Sequence, residues 1–108
     1  DVLIGRNTII HHCDIGNYVL IGEGCTLLSG SRQHSTDRTG IPMAHQGGWK
    51  KRIFIGDDCW IGSQSVIMEN VAGGCVVAAG SVVTKEFEQY SIIGGVPASV
   101  IAERPVAK

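Results

Sequence analysis

Leucine is scarce in this chain, with 4 residues of 108 against 13 Ile and 11 Val. That ratio argues against a helical protein, because β-branched side chains suit a pleated surface and weaken helices. Long apolar runs are also missing. None approaches the ~20 residues a membrane-spanning helix needs, and no signal-peptide pattern opens the chain. Charge of one sign is lacking too: a formal net charge of −1 leaves no footprint for nucleic acid or an anionic membrane. The one basic run is Trp49-Lys50-Lys51-Arg52. A soluble, cytoplasmic protein is expected, without nucleic-acid or membrane partners. The start at Asp1, inside a patterned segment and without methionine, suggests missing upstream residues.

Close cysteine pairs are absent as well. Cys13, Cys25, Cys59 and Cys75 form no CxxC, so neither a metal site nor a disulfide is expected. All four are read as small buried residues in a reducing compartment.

What is abundant is glycine, at 15 residues, and it falls in a rhythm. Ile15-Gly16, Ile21-Gly22 and Leu27 are spaced by six, as are Ile55-Gly56, Ile61-Gly62 and Ile67, and later Val77 and Val83. Six matches neither a 3.6-residue helix nor a simple two-residue strand. It fits short strands joined by regular corners around a solenoid of triangular section. The aliphatic at position i should point inward, as should a small residue at i+4 (Val19, Cys25, Cys59, Ser65, Ser81). Glycine at i+1 is expected to permit the corner geometry.

The rhythm breaks in three places. Ile4 to Ile15 spans eleven residues and Ile67 to Val77 ten, so two corners are shortened. From Leu27 to Ile55 the spacing is 28, and residues 29–52 are polar with one Ile and no Val. An extruded loop over about 29–52 is expected there, and long loops on rigid scaffolds tend to carry function. After Lys85 the hexads are expected to stop. A tail over about 86–108 should hold a strand and turn from Ile92, with a short helix from Ala98, all within one 1–108 domain.

The segments Ile55-Gly56-Asp57-Asp58-Cys59-Trp60-Ile61-Gly62, Ala79-Gly80-Ser81-Val82-Val83-Thr84-Lys85 and Gly94-Gly95-Val96-Pro97-Ala98 resemble the hexapeptide-repeat acyltransferases of galactoside, maltose and capsular-sugar O-acetyltransferase type. The resemblance implies an all-β, left-handed parallel β-helix. It implies a homotrimer with acetyl-CoA as co-substrate between adjacent solenoids, and an extruded loop closing each site. Moving acetyl from a thioester to a hydroxyl requires a base, donors for the oxyanion, and geometry that holds both substrates. Histidine suits the base, because it titrates near pH 6.5.

His34 leads the loop 26 residues before Trp60, a spacing similar to that of the catalytic histidine in galactoside-type enzymes, and is read as the general base. His11 and His12 are the rivals, since their segment faintly resembles one in sugar N-acyltransferases, and His45 has no motif behind it. Asp37 or a backbone carbonyl would orient the ring. The resemblance sets Trp60 beside the acyl and acceptor site, with Asp37 also on the acceptor side; Trp49 is read as loop packing or acceptor contact. It implies that Ser63 and Ala79 line the pantetheine arm and that Thr84 and Lys85 meet the nucleotide. Where the family commonly carries Arg or Lys the chain has Ser99, and Arg104 is the candidate replacement.

The function implied is acetyl-CoA-dependent O-acetylation of a saccharide or related small molecule by direct attack in a ternary complex. Alternatives are N-acylation of an amino sugar, acetylation of a xenobiotic, a zinc carbonic anhydrase on the same solenoid, or an inactive scaffold.

Overall fold

Side chains repeated every sixth residue can stack only if each coil lies directly over the last, and the backbone register does this. The computed structural model describes residues 1–30 and 32–105. Ser31 and residues 106–108, which the expected loop and tail ranges take in, lie outside the described residues.

Three parallel ladders make three faces. The first holds β1 (Val2–Ile4), β4 (Val19–Ile21), β7 (Trp60–Ile61), β9 (Val76–Val77) and β11 (Ser91–Gly95). The second holds β2 (Ile9–Ile10), β5 (Thr26–Leu27), β8 (Val66–Ile67) and β10 (Val82–Val83), and the third holds β3 (Cys13–Ile15) and β6 (Ile53–Ile55), continued by a bridge from Ile55 to Val71. The chain visits the faces in turn and repeats. Trp60 lies over Val76 and Val76 over Ile92, so a coil there takes 16 residues instead of 18. The missing residues are lost at one corner, between the second and third faces, where Ile67 is followed by inward-facing Val71. The extruded loop leaves from that same corner, between β5 and β6. It contains no strand among its described residues and one 3-10 turn, Met43–His45.

The interior is a column of Ile21, Leu27, Ile53, Ile55, Ile61, Ile67, Val71, Val77, Val83 and Ile93, all buried. Cys25, Cys59 and Cys75 are buried with them, Cys13 is half-buried in the end coil, and all four thiols are free. Their slot is more than apolar filler. Cys25 Sγ donates to the Gly62 carbonyl (3.2 Å), Cys59 Sγ to Ala72 (3.2 Å), Cys75 Sγ to Glu88 (3.3 Å), and Ser65 Oγ to Ala78 (3.2 Å). These four i+4 donors each satisfy a corner carbonyl of the next coil, which explains why Cys and Ser interchange there, while Ser81 Oγ donates to Ala78 O of its own coil (2.6 Å).

The structure corrects three expectations. The left-handed corner residue is at i+3, not i+1: Asn7, Tyr18, Asp58, Gln64 and Tyr90 have φ between 55° and 64°, and Gly24, Gly74 and Gly80 share that region. Glycine at i+1 serves close stacking instead. A Cβ on Gly62 would lie 2.5 Å from the backbone nitrogen of Ala79, and one on Gly56 2.5 Å from that of Gly73. Second, the hexads do not stop at Lys85. Phe87 packs against the core in the aliphatic slot, Tyr90 takes the left-handed corner, and Ser91 and Ile93 are buried. Third, no helix starts at Ala98. Residues Ala98–Glu103 form β12, antiparallel to β11 with Gly95 opposite Ala98 and Ser91 opposite Glu103. Gly95 at φ 104° reverses the chain, and the open edge of β11 offers backbone partners to a β-branched stretch.

Candidate active site

The extruded loop is a braced arm. Its two limbs are joined by Lys51 N–H to Ser29 O (2.8 Å), Trp49 N–H to Arg32 O (2.9 Å) and Ser35 N–H to Gly47 O (2.6 Å). At the root, Gln33 Nε2 donates to Ser29 Oγ (2.9 Å). Lys51 pairs with Glu69 of the following coil, and Arg52 grips Asp14 of the preceding one through both carboxylate oxygens, each at 3.0 Å. Burial raises the Glu69 carboxyl, but the Lys51 ammonium and the Asn70 backbone N–H bring it below its ordinary value. Nearer the tip, Gln46 Nε2 donates to the carbonyls of Arg38 and Ile41, each at 2.7 Å.

This bracing holds His34 in the open. It lines a cleft of about 560 Å³ with Arg32, Ser35, Thr36, Asp37 and Trp49. Trp49 is 69% exposed, so it is not buried as loop packing but presents its indole at the cleft. Asp37 shares the cleft without forming an ion pair to the His34 ring. The position of His34 depends on Gly48. A Cβ there would fall 2.2 Å from the Gln33 carbonyl oxygen and 2.8 Å from the His34 Cα. Gly48→Ala is therefore expected to displace His34 and lower kcat by about tenfold or more, with little change in melting temperature because the arm lies outside the core. Steady-state kinetics beside a thermal melt separates the two.

The remaining predicted site residues lie outside the cleft. Ser63 and Ala79 sit one above the other at the corner between the first and second faces, and Ser63 Oγ accepts a hydrogen bond from Glu23 N–H (3.1 Å). Thr84 and Lys85 follow β10 at the next corner, where the Lys85 ammonium lies 5.5 Å over the Phe87 ring. Arg104 is at the third corner. Its guanidinium pairs with Asp58 (3.2 Å) and donates to the Gly74 carbonyl (2.9 Å), ties that fasten the end of β12. Trp60 faces outward from β7, 56% exposed, on a different face from the root of the His34 arm. His11 and His12 line an open hollow of about 440 Å³ with Cys13, Lys50 and Arg52, and His45 is exposed in the 3-10 turn. The fold thus brings His34 and Asp37 into one cleft, which Trp60, Ser63, Ala79, Thr84, Lys85 and Arg104 do not line.

No family model matches the chain. Among curated proteins it is 34% identical to a probable macrolide acetyltransferase of Lysinibacillus sphaericus, over 91% of this chain and 67% of that protein. The chain belongs to the hexapeptide-repeat acetyltransferases. It is 36% identical to the galactoside O-acetyltransferase of Escherichia coli and 31% identical to a probable acetyltransferase of Mycobacterium tuberculosis. It covers 95% and 98% of its own length in those matches but 54% and 36% of theirs, so it spans about half or less of both. A hexapeptide-repeat acetyltransferase of Vibrio cholerae, solved with acetyl coenzyme A, superposes with a TM-score of 0.68 at 33% identity, over 94% of this chain and 60% of that one. The solenoid is the left-handed parallel β-helix of that family.

Arg32, Gln46 and Gly48 belong to the arm and its cleft although no motif marks them. The adjacent Gly47-Gly48 before Trp49 was the available signal, because paired glycines mark close backbone approach. The thiols stand apart from the chemistry. Burial pushes Cys59 from the ordinary 9.0 to about 11, and burial, with the Asp14 carboxylate adding to it, does the same to Cys13. The native thiols stay protonated while unfolded ones ionise, so stability should fall as pH rises from about 9 to about 11. Urea melts across that range check the sign. In the folded protein at pH 8, a disulfide reagent is expected to leave Cys25, Cys59 and Cys75 unmodified until urea is added.

Proposed function

We propose that this protein transfers acetyl from acetyl-CoA to a hydroxyl of a saccharide or related small molecule, with His34 as general base. The observation that carries the reading is the exposed His34 imidazole on a braced arm, beside an exposed indole in a cleft large enough for a sugar. In the reaction, His34 takes the hydroxyl proton as the oxygen attacks the thioester carbon, a backbone N–H meets the oxyanion, and the C–S bond breaks. The imidazolium then returns the proton to the departing CoA sulfur. Burial of Cys25, Cys59 and Cys75 in the core, away from the cleft, favours this direct attack over a cysteine-linked intermediate.

Acetyl-CoA fits the corner that carries Ser63 and Ala79. Ala79 and Gly80 are exposed there, and nothing lies within 4 Å of a Cβ built on Gly80, so a slim pantetheine arm has room along the edge. Thr84 and Lys85 at the next corner would meet the nucleotide end. Arg104 is tied to Asp58 and Gly74, and it would have to give up those bonds to reach a phosphate.

Because none of Trp60, Ser63, Ala79, Thr84, Lys85 and Arg104 lines the cleft of His34, the site is completed between subunits of a homotrimer. The outward row of the first face supports this: Leu3, Leu20, Trp60, Val76 and Ile92 are all apolar, and the first three are largely exposed. No helix among the described residues is long and apolar enough to cross a membrane. Four free thiols accord with a cytoplasmic setting.

The test is CoA release in a screen of hydroxyl and amine acceptors, with products identified by mass spectrometry and mass in solution by light scattering. O-acetylated product and a trimeric mass are expected. Acetylation confined to amines would move the protein to N-acylation, and failure to bind CoA at millimolar concentration would leave a scaffold.

A further inference from the structure

Charge in this chain is segregated by structure. Residues 29–52 hold five Lys and Arg and a single acid, Asp37, while the rest of the chain holds four Lys and Arg and nine Asp and Glu. A cationic arm therefore projects from an anionic solenoid. Two of its cations are spent on bracing, Lys51 with Glu69 and Arg52 with Asp14. Among the described residues, Arg32, Arg38 and Lys50 have no carboxylate within ion-pair distance.

Arg32 is placed to use its charge. Its carbonyl accepts the Trp49 N–H at 2.9 Å, so the two residues stand side by side across the arm. Both line the cleft that holds His34, and both also line a second hollow of about 190 Å³ with Gly30, Lys51 and Glu69. An exposed guanidinium beside an exposed indole suits a sugar ring bearing an anionic group: the ring's apolar face lies on the indole and the anion meets the fork. The acidic solenoid repels the same ligand elsewhere and concentrates it at the arm.

Resting on the acetyl-transfer reading, we propose that the acceptor carries a carboxylate or phosphate close to the acetylated hydroxyl, and that Arg32 reads it. The probes are a hexuronic-acid disaccharide, the matched hexose-phosphate disaccharide and the matched neutral disaccharide. Each is titrated calorimetrically into the full chain with CoA present, and then tested for CoA release from acetyl-CoA.

At least one acidic probe is expected to bind about tenfold or more tightly than the neutral one at low salt, with the margin shrinking as salt is added. The tighter of the two identifies carboxylate or phosphate as the source. Arg32→Gln should erase the margin while leaving the neutral probe and acetyl-CoA within about twofold, and circular dichroism confirms that the variant is folded. Equal binding of all three probes, or no binding of either acid, overturns the inference. So does an Arg32→Gln variant that weakens acetyl-CoA and spares the acids, since the cations would then serve the coenzyme phosphates. Preferential acid binding without CoA release from any probe keeps Arg32 as the reader of an anionic ligand and rejects acetyl transfer to that ligand.

Discussion

Replacing His34 with alanine is expected to lower acetyl transfer by about 10²–10⁴-fold while leaving CoA affinity unchanged. The size follows from the role. A hydroxyl near pH 7 is a poor nucleophile until a base takes its proton in the transition state, and among the described cleft residues the imidazole is the group suited to that transfer. The specificity of the effect follows from placement. The ring is exposed at the arm and outside the buried core, so its removal leaves no cavity and should shift the melting temperature by less than about 2 °C. CoA affinity should hold because none of Ser63, Ala79, Thr84 and Lys85 lines the His34 cleft. Retention of rate within about tenfold would reject the assignment. His11→Ala and His12→Ala serve as comparisons at the rival positions, because both side chains lie in a hollow separate from the His34 cleft. Either of them losing the rate instead would move the base there.

Adding one methyl group at Gly62 is expected to destabilise the protein by about 3 kcal/mol, the upper part of the range for overpacking. For a chain of this size that corresponds to a melting temperature lower by about 10 °C or more. A Cβ at this position would sit 2.5 Å from Ala79 N, 2.8 Å from Ala79 Cα and 2.8 Å from Val77 O. All three are backbone atoms of the next coil, held there by Gly62 N–H donating to Val77 O at 2.8 Å. A side chain can rotate aside; a coil backbone can retreat only by lengthening its ladder hydrogen bonds. Gly47→Ala is the matched control. Its Cβ would meet nothing within 4 Å and its φ lies outside the left-handed region, so the change should stay within about 0.5 kcal/mol. Equal melting temperatures for the two variants would mean that the coils can move apart, and that glycine at i+1 is not needed for stacking.

Much of the solenoid is legible in the chain because the same requirement recurs with every coil. Ile15, Ile21, Ile55, Ile61 and Ile67 declare the inward column, and small residues such as Cys25 and Ser65 declare the corner interior. Phe87 hides the last hexad only because an aromatic stands in an aliphatic slot before two polar residues. The split of labour between i+1 and i+3 is harder to read. Glycine at both positions looks alike in sequence, yet Gly62 answers to the backbone above it and Gly24 to its own dihedral angle. The end of the chain misleads for a related reason. Ala98 to Ile101 suits several conformations in isolation, and the open edge of β11 decides for a strand.

For the site, composition marks residues 29–52 as the departure from the core pattern and leaves His34 as the histidine with the strongest motif claim. It does not reveal that Trp49, not Trp60, lines the cleft with His34, that Arg32 stands beside Trp49, or that Arg104 is tied to Asp58. The sequence by itself therefore determines the repeating scaffold and the segment that departs from it, because burial and corner geometry impose the same local choices every few residues. The tertiary structure alone decides which side chains share the cleft. Those meetings rest on single contacts across the arm, such as Trp49 N–H on Arg32 O and Gly48 against His34, and a contact made once leaves no period to read.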